Sequence, residues 1–392
     1  MKAFCARIFN LVVLIILVGL GYALFYPYPD PNLVVKNWPI QTIAEYQQSV
    51  QQVMKEGGVK VQFPPQLATY RKVSLSNGIE LNVLEGGRNG LADQKLLIFL
   101  HGFPESALLC WGRYLDHFIE KGYWVIAPDM RGYNESGKPV PTGMDISKFE
   151  NATSWNLWQW LRVASDLYAI SYKYVDTEIA RDLKLLVNEY AQREKAIFIT
   201  HDWGSGAATY ALTEYPEIFE RAILGTPPLR NSKNFVQQYP LRFISQMIKS
   251  WYIMFLQIAG LSDYVFSRNN FALMFDFVKF DEIGKEGRMS AEEALLYIEH
   301  LEKVRVTTMS YYRGMTRAQY QGKKELLDFP IMFMHSERDR YLTKSPLDFV
   351  YRQEMTESAK SQSRVVELMN VPHWIQYYGE VVIPIIEEFI QK

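Results

Sequence analysis

One carboxylate, Asp202, stands where a short apolar run gives way to small residues, in KAIFITHDWGSGAATYAL (195–212). Residues 196–200 have the length and apolarity of a buried strand, and the small residues after them suit a closely packed helix. A strand-to-helix elbow exposes one side chain at the top of a sheet and aims helix-start N–H groups at whatever binds there. In the common form of this elbow the exposed residue is Ser within G-x-S-x-G. Here it is Asp202, and Ser205 lacks that frame because Trp203 stands two places before it. A helix cap is the plainer role for such an Asp. Three further segments add weight to the chemical role. His101-Gly102-Phe103-Pro104-Glu105 follows LLIFL (96–100), so Gly102 permits a close backbone turn and the Phe103 N–H can serve as an oxyanion donor. IMFMH (331–335) leads into Ser336-Glu337-Arg338-Asp339, which offers an acid. VVELMN (365–370) leads into Val371-Pro372-His373-Trp374, which offers a histidine.

Those residues need a scaffold that brings the ends of several strands together. Apolar runs recur at 96–100, 123–127, 196–200, 222–225, 331–334 and 365–369, separated by helix-length segments. Short strands buried on both faces and alternating with helices predict a mainly parallel sheet. Ahead of them, two alternating runs in 71–85 flank Asn77-Gly78, a hairpin signal. Residues 41–56 have the pattern of a short helix. Between 225 and 331 about a hundred residues show helical periodicity and many aromatics, among them Phe235, Tyr239, Phe243, Trp251, Tyr252, Phe255 and Phe266. Ligands bind beyond the carboxyl ends of strands in open α/β sheets, so an insertion there is expected to act as a cap. The segment 141–176 holds Trp155, Trp158 and Trp160. It is expected to form an extra amphipathic helix packed on the core, with a membrane-facing or entrance element as the functional alternative.

Composition excludes several classes. The 392 residues are 48% apolar and 22% charged, with 42 Lys/Arg against 43 Asp/Glu and a net charge of −1. This is globular composition, and no like-charged block points to a nucleic-acid partner. Two cysteines, Cys5 and Cys110, make no disulfide framework, and no Cys/His spacing indicates zinc. Mean hydropathy of −0.14 is too low for a polytopic membrane protein. The N-terminus departs from that average. Residues 8–26 carry no charge, and as a helix they would span about 28 Å, near the hydrocarbon thickness of a bilayer. Lys2 and Arg7 precede them, and Tyr22, Tyr26, Tyr28 and Trp38 lie near the far end. The expectation is a retained single-pass membrane anchor in 1–26, with the N-terminus in the cytosol and the endoplasmic reticulum as the compartment. A cleaved signal peptide with Gly21 and Ala23 before the cut, hence secretion, is the competing reading. Pro27, Pro29 and Pro31 then suggest a stiff spacer.

Four motifs carry a family resemblance: HGFPES (101–106), APDMRGYNESGKP (127–139), HDWGS (201–205) and His373-Trp374. Over most of 70–392 the chain resembles the epoxide hydrolase branch of the α/β-hydrolase superfamily, whose order nucleophile, acid, histidine it shares. The resemblance implies an α/β-hydrolase fold, a mostly parallel sheet flanked by helices, with an inserted helical cap. The implied division is an anchor (1–26), a linker and extension (27–68), core (69–225), cap (226–328) and core again (329–392). It implies Asp202 as nucleophile, His373 with Asp339 as the water-activating pair, and the Phe103 and Trp203 N–H groups as oxyanion hole. Two cap tyrosines would hydrogen-bond the epoxide oxygen: Tyr252 in WYIMFLQ (251–257) and Tyr312 in SYYRGM (310–315). With Phe103, Trp203 and Trp374 they would line the substrate site. Four positions depart from the family pattern: Thr200 and Ser336 stand where Gly is usual, Ala107 where Trp is frequent, and one residue is inserted before Trp111.

The activity so implied is addition of water to a lipophilic epoxide, giving a vicinal diol through an Asp ester, without cofactor or metal. A dehalogenase would use the same Asp with Trp203 as a halide donor, but has no need of the two phenols. A non-catalytic protein on this fold is the alternative from another class. A serine esterase is disfavoured because no Ser occupies the elbow. The sequons at Asn134 and Asn151 could be glycosylated only on a lumenal face.

Overall fold

The computed structural model describes residues 41–48, 62–149, 152–227, 232–277, 286–315 and 326–391, with the single positions 17, 21, 31, 35, 36, 59 and 283. Eight strands form one sheet: β1 (Thr69–Ser74), β2 (Glu80–Gly86), β3 (Leu96–Leu100), β4 (Trp124–Pro128), β5 (Ala196–His201), β6 (Phe219–Gly225), β7 (Ile331–Arg338) and β8 (Arg364–Pro372). Their order is β1-β2-β4-β3-β5-β6-β7-β8. Only β2 runs antiparallel to its neighbours, β1 and β4. The expected hairpin is present, with Gly78 at φ 84° in its turn. Every residue of β3, β4 and β5 is buried, which is why these strands read as unbroken apolar runs.

Alternate residues feed two core layers. Ile98, Ile126, Phe198 and Leu224 face one side, while Leu97, Phe99, Val125, Ile197 and Ile223 face the other. Helix α1 (Ala107–Glu120) covers the second side. The pair α2 (Leu157–Arg162) and α3 (Ala164–Ser171) leads into α4 (Asp176–Leu185), which covers the first side with α5 (Trp203–Glu214). Between β6 and β7 lie α6 (Ser232–Gln238), α7 (Pro240–Lys249), α8 (Trp251–Leu256), α9 (Leu261–Phe277), α10 (Ala291–Val304) and α11 (Thr308–Met315). Among the described residues this block holds no strand. Helices α12 (Ser345–Gln353), α13 (Glu357–Ser361) and α14 (Gly379–Gln391) complete the order.

The chain leaves β3 for β4 on one side and returns to β5 on the other, so strand order reverses between β3 and β5. Crevices for ligands open at such a point, beyond the carboxyl ends of the strands. Leu100 and Thr200 are directly paired there, which sets His101–Phe103 beside Asp202.

Leu17 and Gly21 are helical; the rest of the expected anchor lies outside the described residues, as do Pro27, Pro29, Cys5 and Asn151. Among the described residues no helix is long and apolar enough to cross a membrane. Pro31, expected in a stiff spacer that continues no helix, is helical and buried, as is Val35 four residues on. Of the expected 41–56 helix, 43–48 is helical and 49–56 lies outside the described residues. The 141–176 segment packs under the helical block. Trp160 is fully buried, and Gly260 approaches it so closely that a Cβ would lie 2.7 Å from the Trp160 carbonyl. Trp158 points outward, 73% exposed.

Candidate active site

Local structure dictates where the carboxylate at the elbow points. Asp202 has φ 47° and ψ −114°, outside helical space, and its side chain does not cap α5. The helix presses against the end of β3: a Cβ on Gly204 would lie 2.3 Å from the Leu100 carbonyl oxygen, so only glycine fits. Thr200 and Ser205 fasten the elbow: their hydroxyls lie 2.8 Å apart, one donating to the other, and within reach of the Ile223 and Gly225 carbonyls, one of which takes the remaining proton. The Thr that departs from the family's Gly thus has its hydroxyl satisfied.

The loop after β3 presents one N–H to that carboxylate. His101 accepts the Met130 N–H at Nε2, so its proton sits on Nδ1, which donates to the Gly102 carbonyl at 2.9 Å. The Glu105 N–H donates to the same carbonyl. In a trans peptide C=O and N–H point in opposite directions, so holding the Gly102 carbonyl aims the Phe103 N–H the other way. It donates to Asp202 Oδ1 at 3.0 Å. Burial holds the His101 pKa down at about 4, in keeping with a neutral structural ring.

His373 follows β8 and faces both acids. Its Nδ1 lies 2.8 Å from Asp339 Oδ2, and its Nε2 lies 3.7 Å from Asp202 Oδ2. Asp339 Oδ1 accepts the N–H groups of Tyr341 and Leu342 at 2.7 and 2.8 Å. Burial favours the protonated acid, but the His373 charge and these hydrogen bonds hold Asp339 below its ordinary pKa. Burial disfavours the imidazolium, yet Asp339, with Asp202 behind it, carries His373 above its ordinary value. Of the two acids in 336–339, Glu337 lies near the end of β7, is exposed and accepts the Asn370 N–H, so Asp339 alone meets the histidine.

Tyr252 on α8 and Tyr312 on α11 hang over Asp202. Their rings lie 5.9 Å apart edge to face and share a side-chain hydrogen bond. Tyr312 also packs edge-on against Phe103 and Trp203, at 4.9 and 5.0 Å. Burial first, then nearby negative charge, pushes both phenols up, so each stays a protonated donor. One small cavity is lined by Phe103, Pro104, Asp202, Tyr252, Tyr312, Tyr341, His373 and Trp374. Trp203 is nearly buried at the start of α5. The expected site residues, Phe103, Trp203, Tyr252, Tyr312, Asp339, His373 and Trp374, therefore gather around Asp202.

Tyr341 was not singled out, although it lies two residues beyond Asp339, with its ring 4.9 Å from His373 and 5.8 Å from Tyr252. Beneath the site, His201 donates from Nε2 to the His373 carbonyl at 2.9 Å and faces Glu105 from Nδ1 at 3.3 Å. Glu105 also accepts from Tyr297 and Gln376. Glu105, Cys110 and His201 bring three potential metal ligands together, but these hydrogen bonds occupy the carboxylate. Burial and Glu105 also push the Cys110 thiol up, away from the thiolate a metal needs. At the first sequon, half-exposed Asn134 donates to buried Asp129, and Ser136 is buried.

A family model described as alpha/beta hydrolase fold matches residues 95–380. The AB hydrolase superfamily protein YfhM of Bacillus subtilis is 26% identical over 305 residues, 77% of this chain and 91% of that protein. Epoxide hydrolase 4 of Homo sapiens is 25% identical over 319 residues, 80% of this chain and 76% of that protein. Among solved structures, an inhibitor complex of Bacillus megaterium epoxide hydrolase superposes with a TM-score of 0.62 at 21% identity, covering 82% of this chain and 100% of that one. At that identity the likeness is one of fold. The chain belongs to the α/β hydrolase fold family.

Proposed function

We propose that this protein hydrolyses lipophilic epoxides to vicinal diols through a covalent ester on Asp202. The observation that carries the reading is a carboxylate held at one oxygen by the Phe103 N–H, with its other oxygen facing a cavity roofed by two phenols. Asp202 Oδ2 attacks an epoxide carbon; the C–O bond breaks, and the departing oxygen takes a proton from Tyr252 or Tyr312. Water then attacks the ester carbon while His373 Nε2 removes its proton, and Asp339 stabilises the imidazolium. The Phe103 and Trp203 N–H groups hold the tetrahedral oxyanion. Collapse releases the diol, whose leaving oxygen takes the proton held by His373; the second proton of the water, left on the Asp202 carboxyl, returns to the tyrosinate and restores Asp202 as a carboxylate. The balance is one epoxide plus one water to one diol, with no cofactor or metal called for.

We propose the division into core (69–225 and 329–392) and cap (226–328), and an anchor in 1–26 that holds the body at the endoplasmic reticulum membrane. An apolar, aromatic block over the site suits a lipophilic substrate. A dehalogenase has no use for phenols over the carboxylate, so Tyr252 and Tyr312 favour the epoxide.

Intact-mass measurement after mixing with a panel of epoxides should trap an adduct that maps to Asp202, and Asp202→Ala should lose both adduct and diol. Halide release from haloalkanes with no diol from any epoxide would overturn the reading. Carbonate extraction of membranes, with and without residues 1–26, tests the anchor.

A further inference from the structure

The helices that present Tyr252 also grip the loop that carries Asp339. Gln246, buried on α7, donates from Nε2 to the Tyr341 carbonyl and the Ser250 hydroxyl, each at 2.8 Å. Its Oε1 accepts the Thr343 N–H at 2.8 Å and the Thr343 hydroxyl at 2.9 Å. Lys249, three residues on, donates from Nζ to the carbonyls of Asp339 and Leu342, at 2.5 and 3.2 Å. Ser250 adds a longer bond to the Tyr341 carbonyl at 3.4 Å.

Residues 339–343 are thus fixed from two sides. From within, Asp339 Oδ1 accepts the Tyr341 and Leu342 N–H groups, which leaves Oδ2 for His373. From without, α7 takes the outward carbonyls and the Thr343 N–H. Helix α7 ends at Lys249 and α8 begins at Trp251, so Tyr252 lies three residues beyond Lys249. A connecting loop is ordinarily the least constrained part of a fold, whereas a misplacement of about 1 Å at a reacting group can cost 10²-fold in rate.

We propose that Gln246 and Lys249 are positioning residues that couple the placement of the Tyr252 hydroxyl to that of the Asp339–His373 pair. Ring opening and ester hydrolysis then share one mechanical reference, the α7–α8 junction. An ammonium suits the outer position because its several donors can serve two carbonyls of one turn at once. The amide of Gln246 suits the inner position because it both donates and accepts, matching a carbonyl and an N–H two residues apart. The inference rests on the two-step reading above and adds the coupling between its steps.

The test uses the full chain, an epoxide the unaltered chain converts, and rapid-quench single turnovers read by intact mass, which separates ester formation from ester decay. Lys249→Met should slow decay about tenfold and formation about threefold, and Lys249→Arg should restore both to within about twofold. Gln246→Leu should slow both steps about tenfold. Tyr252→Phe should slow formation alone and Asp339→Asn decay alone, which marks what uncoupled lesions look like. Should Gln246→Leu not fold, Thr343→Ala removes a single hydroxyl from the clasp and should still slow decay about threefold. Lys249→Met and Thr343→Ala proteins with native near-UV circular dichroism and both steps within about twofold of the unaltered chain would overturn the coupling. Absence of any ester in the unaltered chain would instead bring down the two-step reading itself.

Discussion

The backbone N–H of Phe103 donates to Oδ1 of Asp202 at 3.0 Å, so the two oxygens of this carboxylate are not equivalent. One is already in the place where negative charge would build during the proposed ester hydrolysis. The other faces the cavity and His373. A donor that meets the resting carboxylate and the later oxyanion at one position needs little reorganisation between them, which is the basis of electrostatic preorganisation.

That relationship depends on Gly102. A Cβ there would lie 2.8 Å from the Asp202 Cβ, 3.0 Å from His201 Nδ1 and 3.1 Å from Asp202 Oδ1. Gly102→Ala should therefore displace the carboxylate and the Phe103 N–H together. The expected outcome is a fall of about 10²-fold in kcat/KM, measured on protein whose unfolding transition stays cooperative.

The two phenols make a separable prediction. Tyr252→Phe and Tyr312→Phe keep the packed ring and delete the hydroxyl, so the edge-to-face contacts with Phe103 and Trp203 survive. Each should slow ester formation by about 10²-fold, the low end of what a positioned general acid contributes, and leave ester decay unchanged. Stopped-flow and quench measurements on one epoxide would check both steps. The double variant should be slower than either single one, because each hydroxyl can still serve when the other is gone.

What the sequence made legible follows from where the signals are local. The strands at 96–100 and 196–200 could be read because burial on both faces leaves continuous apolar runs. Asp202, His373 and Asp339 could be read because each follows such a run. Tyr341 and the Gln246–Lys249 grip could not, because their roles come from contacts across about 30 to 100 residues of chain that no local pattern encodes. The spacer reading failed at Pro31 because proline both ends helices and starts them, and its neighbours alone do not say which.

Tyr46 and Phe63, which precede β1, pack on a buried ion pair between α1 and α10. Arg113 on α1 pairs with Glu293 on α10, beneath the rings of Tyr46, Phe63 and Tyr377 at 5.3, 4.6 and 4.3 Å from the guanidinium carbon. Arg113→Met leaves a carboxylate without its partner in the interior, which costs about 3–5 kcal/mol. Thermal unfolding should fall by about 10 °C, and Arg113→Met with Glu293→Leu should recover most of the loss. A double variant no more stable than the single one would show that packing around the rings, and not the stranded charge, sets the cost.

The charge on Asp202 should govern when His373 can act as a base. In the free protein burial opposes the imidazolium, but Asp339 and then Asp202 outweigh it, so His373 titrates above the ordinary value of about 6.5. A raised folded pKa means that folding takes up a proton. That stabilisation is complete below the unfolded pKa and is lost as pH rises through the folded one. Once Asp202 is esterified its negative charge is gone, and with it one of the contributions that raise His373. The base should therefore be neutral, and able to accept a proton from water, at lower pH in the ester than in the free protein. Ester decay measured in single turnovers should show its acidic limb below the pKa that histidine NMR reports for unreacted protein. Asp202→Ala should lower that NMR pKa in the same direction, since it removes the same charge. A decay limb at or above the free-protein pKa would mean that Asp202 does not act on His373 across the 3.7 Å between them.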